Sequence, residues 1–127
     1  KGIIKFLLIE GKSQNEVIKI KKDCDVYIDQ IHNRGGWGYG MSSVEALSMG
    51  LVCMTELVPK YQKFIPDHPF IDINKNNLRE KIIHLSKNKD IVIQKKDESK
   101  KWVKKYHDIS SVSDSLYKFY KEKSWIK

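Results

Sequence analysis

Residues 25–56 read DVYIDQIHNRGGWGYGMSSVEALSMGLVCMTE. An apolar run at 26–30 is followed by a loop in which four glycines fall within six positions. The residues from Ser42 to Met49 then have a helical pattern that Gly50 closes, and a second apolar run follows at 51–56. Strand, glycine-rich loop, helix and strand in this order predict a parallel α/β unit.

The segment before this unit predicts one more strand and one more helix. The apolar run KFLLIE at 5–10 predicts a buried strand, which Gly11 ends. Ser13 and Glu16 have the spacing of a capping box, so they predict the start of a helix. Together with the unit above, these elements predict a parallel sheet with alternating strands and helices.

The segment after the unit predicts a fourth strand at 70–73 and then only helices. Asn77 is placed to cap a helix at 78–86, and two further helices follow at 99–106 and 112–121. We interpret the apolar stripes of the last two helices as core or packing surfaces. The stripes are Trp102, Val103 and Tyr106 in the first helix, and Val112, Leu116, Phe119 and Tyr120 in the second.

The composition is typical of a single globular domain spanning residues 1–127. No apolar run approaches the roughly 20 residues that a membrane span needs, and no signal peptide is recognisable, so we expect a cytoplasmic protein. Cys24 and Cys53 form no metal-binding motif and are expected to be reduced residues in or near the core. The histidines lack metal-ligand spacing, and no metal site is predicted.

The net charge of +8 favours anionic partners, such as nucleic acid, an anionic membrane or a phosphorylated ligand. Arginine, which makes most bidentate contacts to bases, occurs only at Arg34 and Arg79, so nucleic-acid binding is not expected. The densest group of lysines, at 95–105, is interleaved with acidic residues and predicts the solvated face of a helix. Peripheral contact with a membrane is the second interpretation of these lysines.

The glycine-rich loop and the helix after it are the segment best suited to binding a ligand. Gly38 and Gly40 lie between a predicted buried strand and a helix, which is where ligands bind in open α/β sheets. The amide groups at a helix N-terminus favour a phosphate or a sugar hydroxyl. The glycine spacing matches neither a P-loop nor the dinucleotide fingerprint, and a flexible loop without a ligand is the alternative.

Glu45 has two interpretations. Ser42 and Glu45 are spaced as a capping box, so Glu45 could cap its own helix. Alternatively, its carboxylate lies one helical turn behind the anion site and accepts hydrogen bonds from a ribose diol, as the acidic residue of dinucleotide-binding folds does. The residues alone favour the cap.

The chain contains DVYIDQ at 25–30, GYG at 38–40 and VEALSMG at 44–50, followed by LVC at 51–53. Together these motifs resemble the C-terminal domain of the group 1 retaining glycosyltransferases of GT-B fold, and the resemblance extends over nearly the whole chain. It implies a Rossmann-like parallel sheet with flanking helices. It also implies that Glu45 holds the nucleotide ribose, which reverses the preference for the cap.

The resemblance implies further site residues and partners. The stretch whose backbone amides face the donor sugar and its diphosphate corresponds to Gly38, Tyr39, Gly40, Met41 and Ser42. The partners implied are a nucleotide-sugar donor and a saccharide or lipid-linked acceptor, as in surface polysaccharide or glycolipid synthesis. No cofactor and no metal ion are expected in this scheme.

The chain also departs from the family pattern. The family's first glutamate, which touches the donor sugar, aligns with Trp37. The family's basic diphosphate clamp belongs to a strand-and-helix unit that would precede this chain, and neither Lys12 nor Arg34 is assigned to it. We therefore expect the domain to be incomplete at its N-terminus, with the catalytic side chain and the acceptor site in a missing N-terminal Rossmann domain and the fragment alone inactive.

Two other functions stay open. A non-catalytic basic α/β module could bind nucleic acid or an anionic membrane, although the glycine-rich loop would then have no role. A GT-B relative of different activity, such as a nucleotide-sugar epimerase, would share the binding site and differ in its product.

Overall fold

A computed structural model of the chain describes residues 4–32 and 38–127. Within these residues three short parallel strands are hydrogen-bonded in the order β1-β2-β3, and most of the remaining chain is helical. This arrangement confirms the predicted α/β class. The elements in chain order are α1 (Gln14–Lys22), β1 (Val26–Ile28), α2 (Met41–Ser48), β2 (Val52–Thr55), a 3₁₀ helix (Pro59–Phe64), β3 (Ile71–Asp72), α3 (Leu78–Lys87), α4 (Lys89–Tyr106) and α5 (Ile109–Glu122).

β2 is the central strand of the sheet. Val26 of β1 is paired with Val52, and Met54 is paired with Ile71 of β3, both in parallel register. Every residue of β2 is buried, as expected for a parallel strand whose two faces are both covered. Alternate side chains of β2 enter two different apolar clusters, because successive side chains of a strand point to opposite faces.

The two clusters together form the core. Cys53 packs in the first cluster with Leu47 of α2 and Trp102 of α4. Val52 and Met54 pack in the second, with residues of β3 and α3. Burial raises the pKa of the Cys53 thiol to about 12, so this cysteine is a protonated, free core residue. The predictions that Trp102 lies in a core stripe and that Cys53 is a reduced core residue are therefore confirmed.

Two helix boundaries follow the predicted local signals. The capping box at the start of α1 is complete, because Ser13 N–H donates to Glu16 Oε2 (2.9 Å) and Glu16 N–H donates to Ser13 Oγ (3.4 Å). α2 ends immediately before Met49 and Gly50, and Gly50 has a φ of +80°. A glycine in this left-handed conformation commonly terminates a helix.

The strand predicted at 5–10 is wrong. Residues 4–10 have no regular secondary structure, and the side chains of Phe6 and Leu8 are 72% and 71% exposed. An apolar run becomes a strand only when a neighbouring strand accepts its backbone hydrogen bonds. Among the described residues β1 pairs only with β2, and no strand pairs with 5–10.

Two predictions about the helical half also need correction, and a third is corrected in part. Asn77 is the N-cap residue of α3, but its side chain accepts a hydrogen bond from Asn74 N–H instead of capping the helix. α4 begins at Lys89, ten residues before the predicted start at 99. The apolar stripe of α5 is exposed, including Leu116, so it does not belong to the core of the described residues, and its interpretation as a packing surface stays a prediction.

Candidate functional site

The candidate site lies where the carboxyl end of β1 meets the start of α2. Asp29, which follows β1, donates its backbone N–H to Met54 O (3.0 Å) and so continues the pairing with β2. Its carboxylate accepts a hydrogen bond from Ser43 Oγ of α2. Beyond Asp29, the backbone N–H of His32 donates to Glu56 Oε2 (2.7 Å). These bonds hold the end of β1 to both α2 and the residues after β2.

Gly38 fits tightly against the end of β2. It is buried with a φ of +96°, and its carbonyl oxygen accepts a hydrogen bond from Thr55 Oγ1. A Cβ atom at this position would lie 2.6 Å from the carbonyl oxygen of Glu56. Both the backbone conformation and the close approach therefore require glycine here.

We expect Gly38→Ala to destabilise the protein. The strained backbone alone should lower the free energy of unfolding by about 1–3 kcal/mol, and displacement of the Glu56 carbonyl adds to the loss. Urea unfolding followed by circular dichroism measures the change. Gly40→Ala is the matched control, because Gly40 is extended and an added Cβ would meet nothing within 4 Å, so its loss should stay below about 1 kcal/mol. Equal losses for the two variants would contradict the assignment.

Tyr39 faces the aromatic part of the core. Its ring centroid lies 4.8 Å from that of Phe70 and 6.0 Å from that of Trp102, and burial raises the pKa of its hydroxyl. Tyr39 also borders a small cavity of about 180 Å³ against α4. His107 lines the same cavity, and burial lowers the pKa of its imidazole. The side chain of Tyr39 thus anchors the loop on the core.

A larger open cavity of about 460 Å³ lies beside α2. Three of the six predicted site residues line it: Met41, Ser42 and Glu45. Gly40 is the N-cap residue of α2 and has no side chain to cap the first turn, whereas Gly38 and Tyr39 pack as described above. The cavity is completed by Gln14, Val44 and Ser48, which were not predicted.

Glu45 does not cap its helix. The N-cap residue is Gly40, so Ser42 and Glu45 both lie inside α2, and the capping interpretation is wrong. The two carboxylate oxygens of Glu45 instead bind α1: Oε1 accepts from Lys21 Nζ (2.7 Å), and Oε2 accepts from Gln14 Nε2. Glu45 therefore joins α2 to α1 at the edge of the cavity.

A polar network underlies the cavity. Lys21 is only 4% exposed, and its ammonium group lies 4.2 Å from the centroid of the Tyr27 ring. Burial, and then the charge of Asp29, raise the pKa of the Tyr27 hydroxyl, while a hydrogen bond with Ser42 acts in the opposite direction. The sequence does contain an indication that Lys21 is buried, because this lysine lies four residues after Val17, on the apolar face of α1.

Lys12 and His32, a histidine at the start of the glycine-rich loop, do not line the cavity beside α2. The ammonium of Lys12, which precedes α1, lies 3.9 Å from Glu16 Oε1, and both side chains are about half exposed. His32 is exposed and has a φ of +84°. Arg34 and Trp37, and with them the question of donor-sugar contact at position 37, lie outside the described residues.

Residues 4–32 and 38–127 contain no cluster of three or more histidine, cysteine, aspartate or glutamate side chains that could hold a metal ion. No helix in the same residues has the length and apolar character needed to cross a membrane. In comparisons with known proteins, no family model, no curated protein and no solved structure matches the chain.

Proposed function

We propose that this chain is the donor-binding domain of a retaining glycosyltransferase of GT-B fold, which transfers a sugar from a nucleoside diphosphate to a saccharide or lipid-linked acceptor. The observation that carries the proposal is the position of Glu45, whose carboxylate lines a cavity beside α2, one turn behind the helix N-terminus. The motif resemblance assigns ribose binding to this residue. Catalytic and acceptor-binding residues would belong to a second, N-terminal domain.

The chemistry of the site is compatible with a nucleoside diphosphate. The N-terminus of α2 carries a partial positive charge and amide groups that favour phosphate oxygens. When the bond between sugar and diphosphate breaks, negative charge grows on the leaving group, and a positively polarised helix terminus would stabilise it. The carboxylate of Glu45 would accept hydrogen bonds from the ribose hydroxyls, and Ser42 would offer a further polar contact.

Glu45→Gln is the variant that tests this role. Its amide oxygen can still accept the bond from Lys21, so the contact between α1 and α2 keeps a partner. The second position becomes an NH₂ group, which cannot accept a hydrogen bond from a ribose hydroxyl. The loss of a charge-assisted hydrogen bond, about 1.5–3 kcal/mol, should weaken nucleotide binding roughly ten- to hundredfold.

Ligand-observed NMR with UDP, GDP, ADP and CMP measures binding to the 127-residue chain. Glu98→Gln is the matched control, because Glu98 also lies 2.7 Å from a lysine ammonium but does not line the cavity. We expect the control to bind as the unmodified chain does. Unchanged affinity in Glu45→Gln would refute the ribose assignment.

A further inference from the structure

Lys21 is unusual among the described lysines because it is buried. It lies on α1, and its ammonium group contacts Glu45 Oε1 and the face of the Tyr27 ring. The Lys21 side chain does not line the cavity beside α2, so a ligand bound there would not touch it. Any effect of Lys21 on a ligand would therefore act through Glu45.

The two oxygens of Glu45 have partners of different kinds. Oε1 is held by a buried ammonium, and a charge-assisted hydrogen bond in such a place is strong. Oε2 is held by Gln14, which is exposed and lines the same cavity. A ligand hydroxyl can replace an exposed amide at Oε2 at little free-energy cost, since the amide regains hydrogen bonds to water.

We propose that Lys21 is a positioning residue that makes this site selective for ribose over 2′-deoxyribose, an inference that rests on the proposed function. The Lys21 ammonium fixes the carboxylate plane of Glu45 through Oε1. Oε2 then exchanges Gln14 for the 2′-hydroxyl of the ribose diol. Without Lys21, the carboxylate can rotate and bind Gln14 or water again, and it is then no longer oriented toward the ribose diol.

The selectivity follows from the hydrogen-bond count. A fixed carboxylate accepts bonds from ribose that 2′-deoxyribose, with one hydroxyl fewer, cannot supply in full. Sites built to bind a hydroxyl reject analogues that lack it, because a polar group of the site is then left unpaired. A carboxylate that turns freely recovers its bonds from water and discriminates less.

The experiment compares the ribose and 2′-deoxyribose forms of one nucleoside diphosphate, chosen as the tightest binder to the unmodified chain. The measured quantity is the ratio of the two dissociation constants, which is independent of the folded fraction of the protein. We expect the unmodified chain to favour ribose by on the order of tenfold or more, and Lys21→Met to lose most of that preference. Lys96→Met is the matched control for charge, because Lys96 also forms a 2.8 Å ion pair, with Asp25, away from the cavity. It should keep the preference.

The outcomes separate the two proposals. If Lys21→Met keeps the ribose preference while Glu45→Gln loses nucleotide binding, the role of Lys21 is refuted and the proposed function stands. If Glu45→Gln binds nucleotides normally, both are refuted. If Lys21→Met binds neither form, Lys21→Arg decides: it retains a positive charge and should restore the preference, and failure to do so overturns the proposal.

Discussion

Glu45→Ala should lower the free energy of unfolding by about 3–5 kcal/mol, because it leaves a buried ammonium group without its counter-charge. Lys21 is 4% exposed, and without Glu45 its ammonium would still face the Tyr27 ring, an uncharged neighbour whose centroid lies 4.2 Å away. Domains of this size unfold with only about 5–15 kcal/mol in total. Urea unfolding should therefore show a large decrease in the midpoint concentration.

Two comparison variants separate burial from ion pairing. Glu98→Ala breaks a pair with the same 2.7 Å separation, but its lysine, Lys95, is 28% exposed where Lys21 is 5% exposed, so the loss should stay below about 1 kcal/mol. Adding Lys21→Met to Glu45→Ala removes the unpaired ammonium group and should recover most of the lost free energy of unfolding. A double variant as unstable as Glu45→Ala would contradict the explanation.

This stability effect bears directly on how the function is tested. An alanine at position 45 would reduce nucleotide binding simply by unfolding the protein, whatever Glu45 does for a ligand. The ratio of ribose to deoxyribose affinities avoids that ambiguity, and Glu45→Gln reduces it because the amide oxygen still accepts the bond from Lys21. Glu45 thus has a structural partner on one oxygen and, in our proposal, a ligand on the other.

The features that the sequence predicts well are local. The capping box of Ser13 and Glu16, the left-handed Gly50 and the apolar run of β2 each depend on residues within a few positions of one another. Gly38 and Gly40, the described glycines of the loop, lie between β1 and α2 as predicted for the same reason. The order of these elements was sufficient to predict a parallel sheet.

The features that it misses depend on partners distant in the chain. The ion pair between Lys21 and Glu45 spans 24 positions, and no local pattern indicates which acidic residue a lysine will meet. The run at 5–10 and the stripe of α5 are both apolar enough for burial, yet neither has a covering element in the described residues. Periodicity shows which face of an element is apolar and leaves open what packs against it.

Trp102→Ala should destabilise the protein about as strongly as Glu45→Ala, by roughly 3–5 kcal/mol. Trp102 is 5% exposed, and its ring centroid lies within 5.5 Å of those of Phe70 and Tyr106. Its indole N–H donates to the carbonyl oxygen of Pro66 (2.9 Å). The substitution therefore opens a cavity where α4 packs beneath Tyr39, and it also leaves a carbonyl without its donor.

Trp125→Ala is the matched control, because this tryptophan is 68% exposed and contacts only the rings of Phe119 and Tyr120 among the described aromatic residues. Its removal should change the free energy of unfolding by less than about 1 kcal/mol. The loss of free energy of unfolding for Trp102→Phe should fall between those of the two alanine variants. Phenylalanine keeps most of the apolar contact but cannot form the hydrogen bond to Pro66 O. If Trp102→Ala and Trp125→Ala were equally mild in urea, the α4 stripe would not be part of the core. The anchoring of Tyr39, and with it the position of the loop before α2, would then need another explanation.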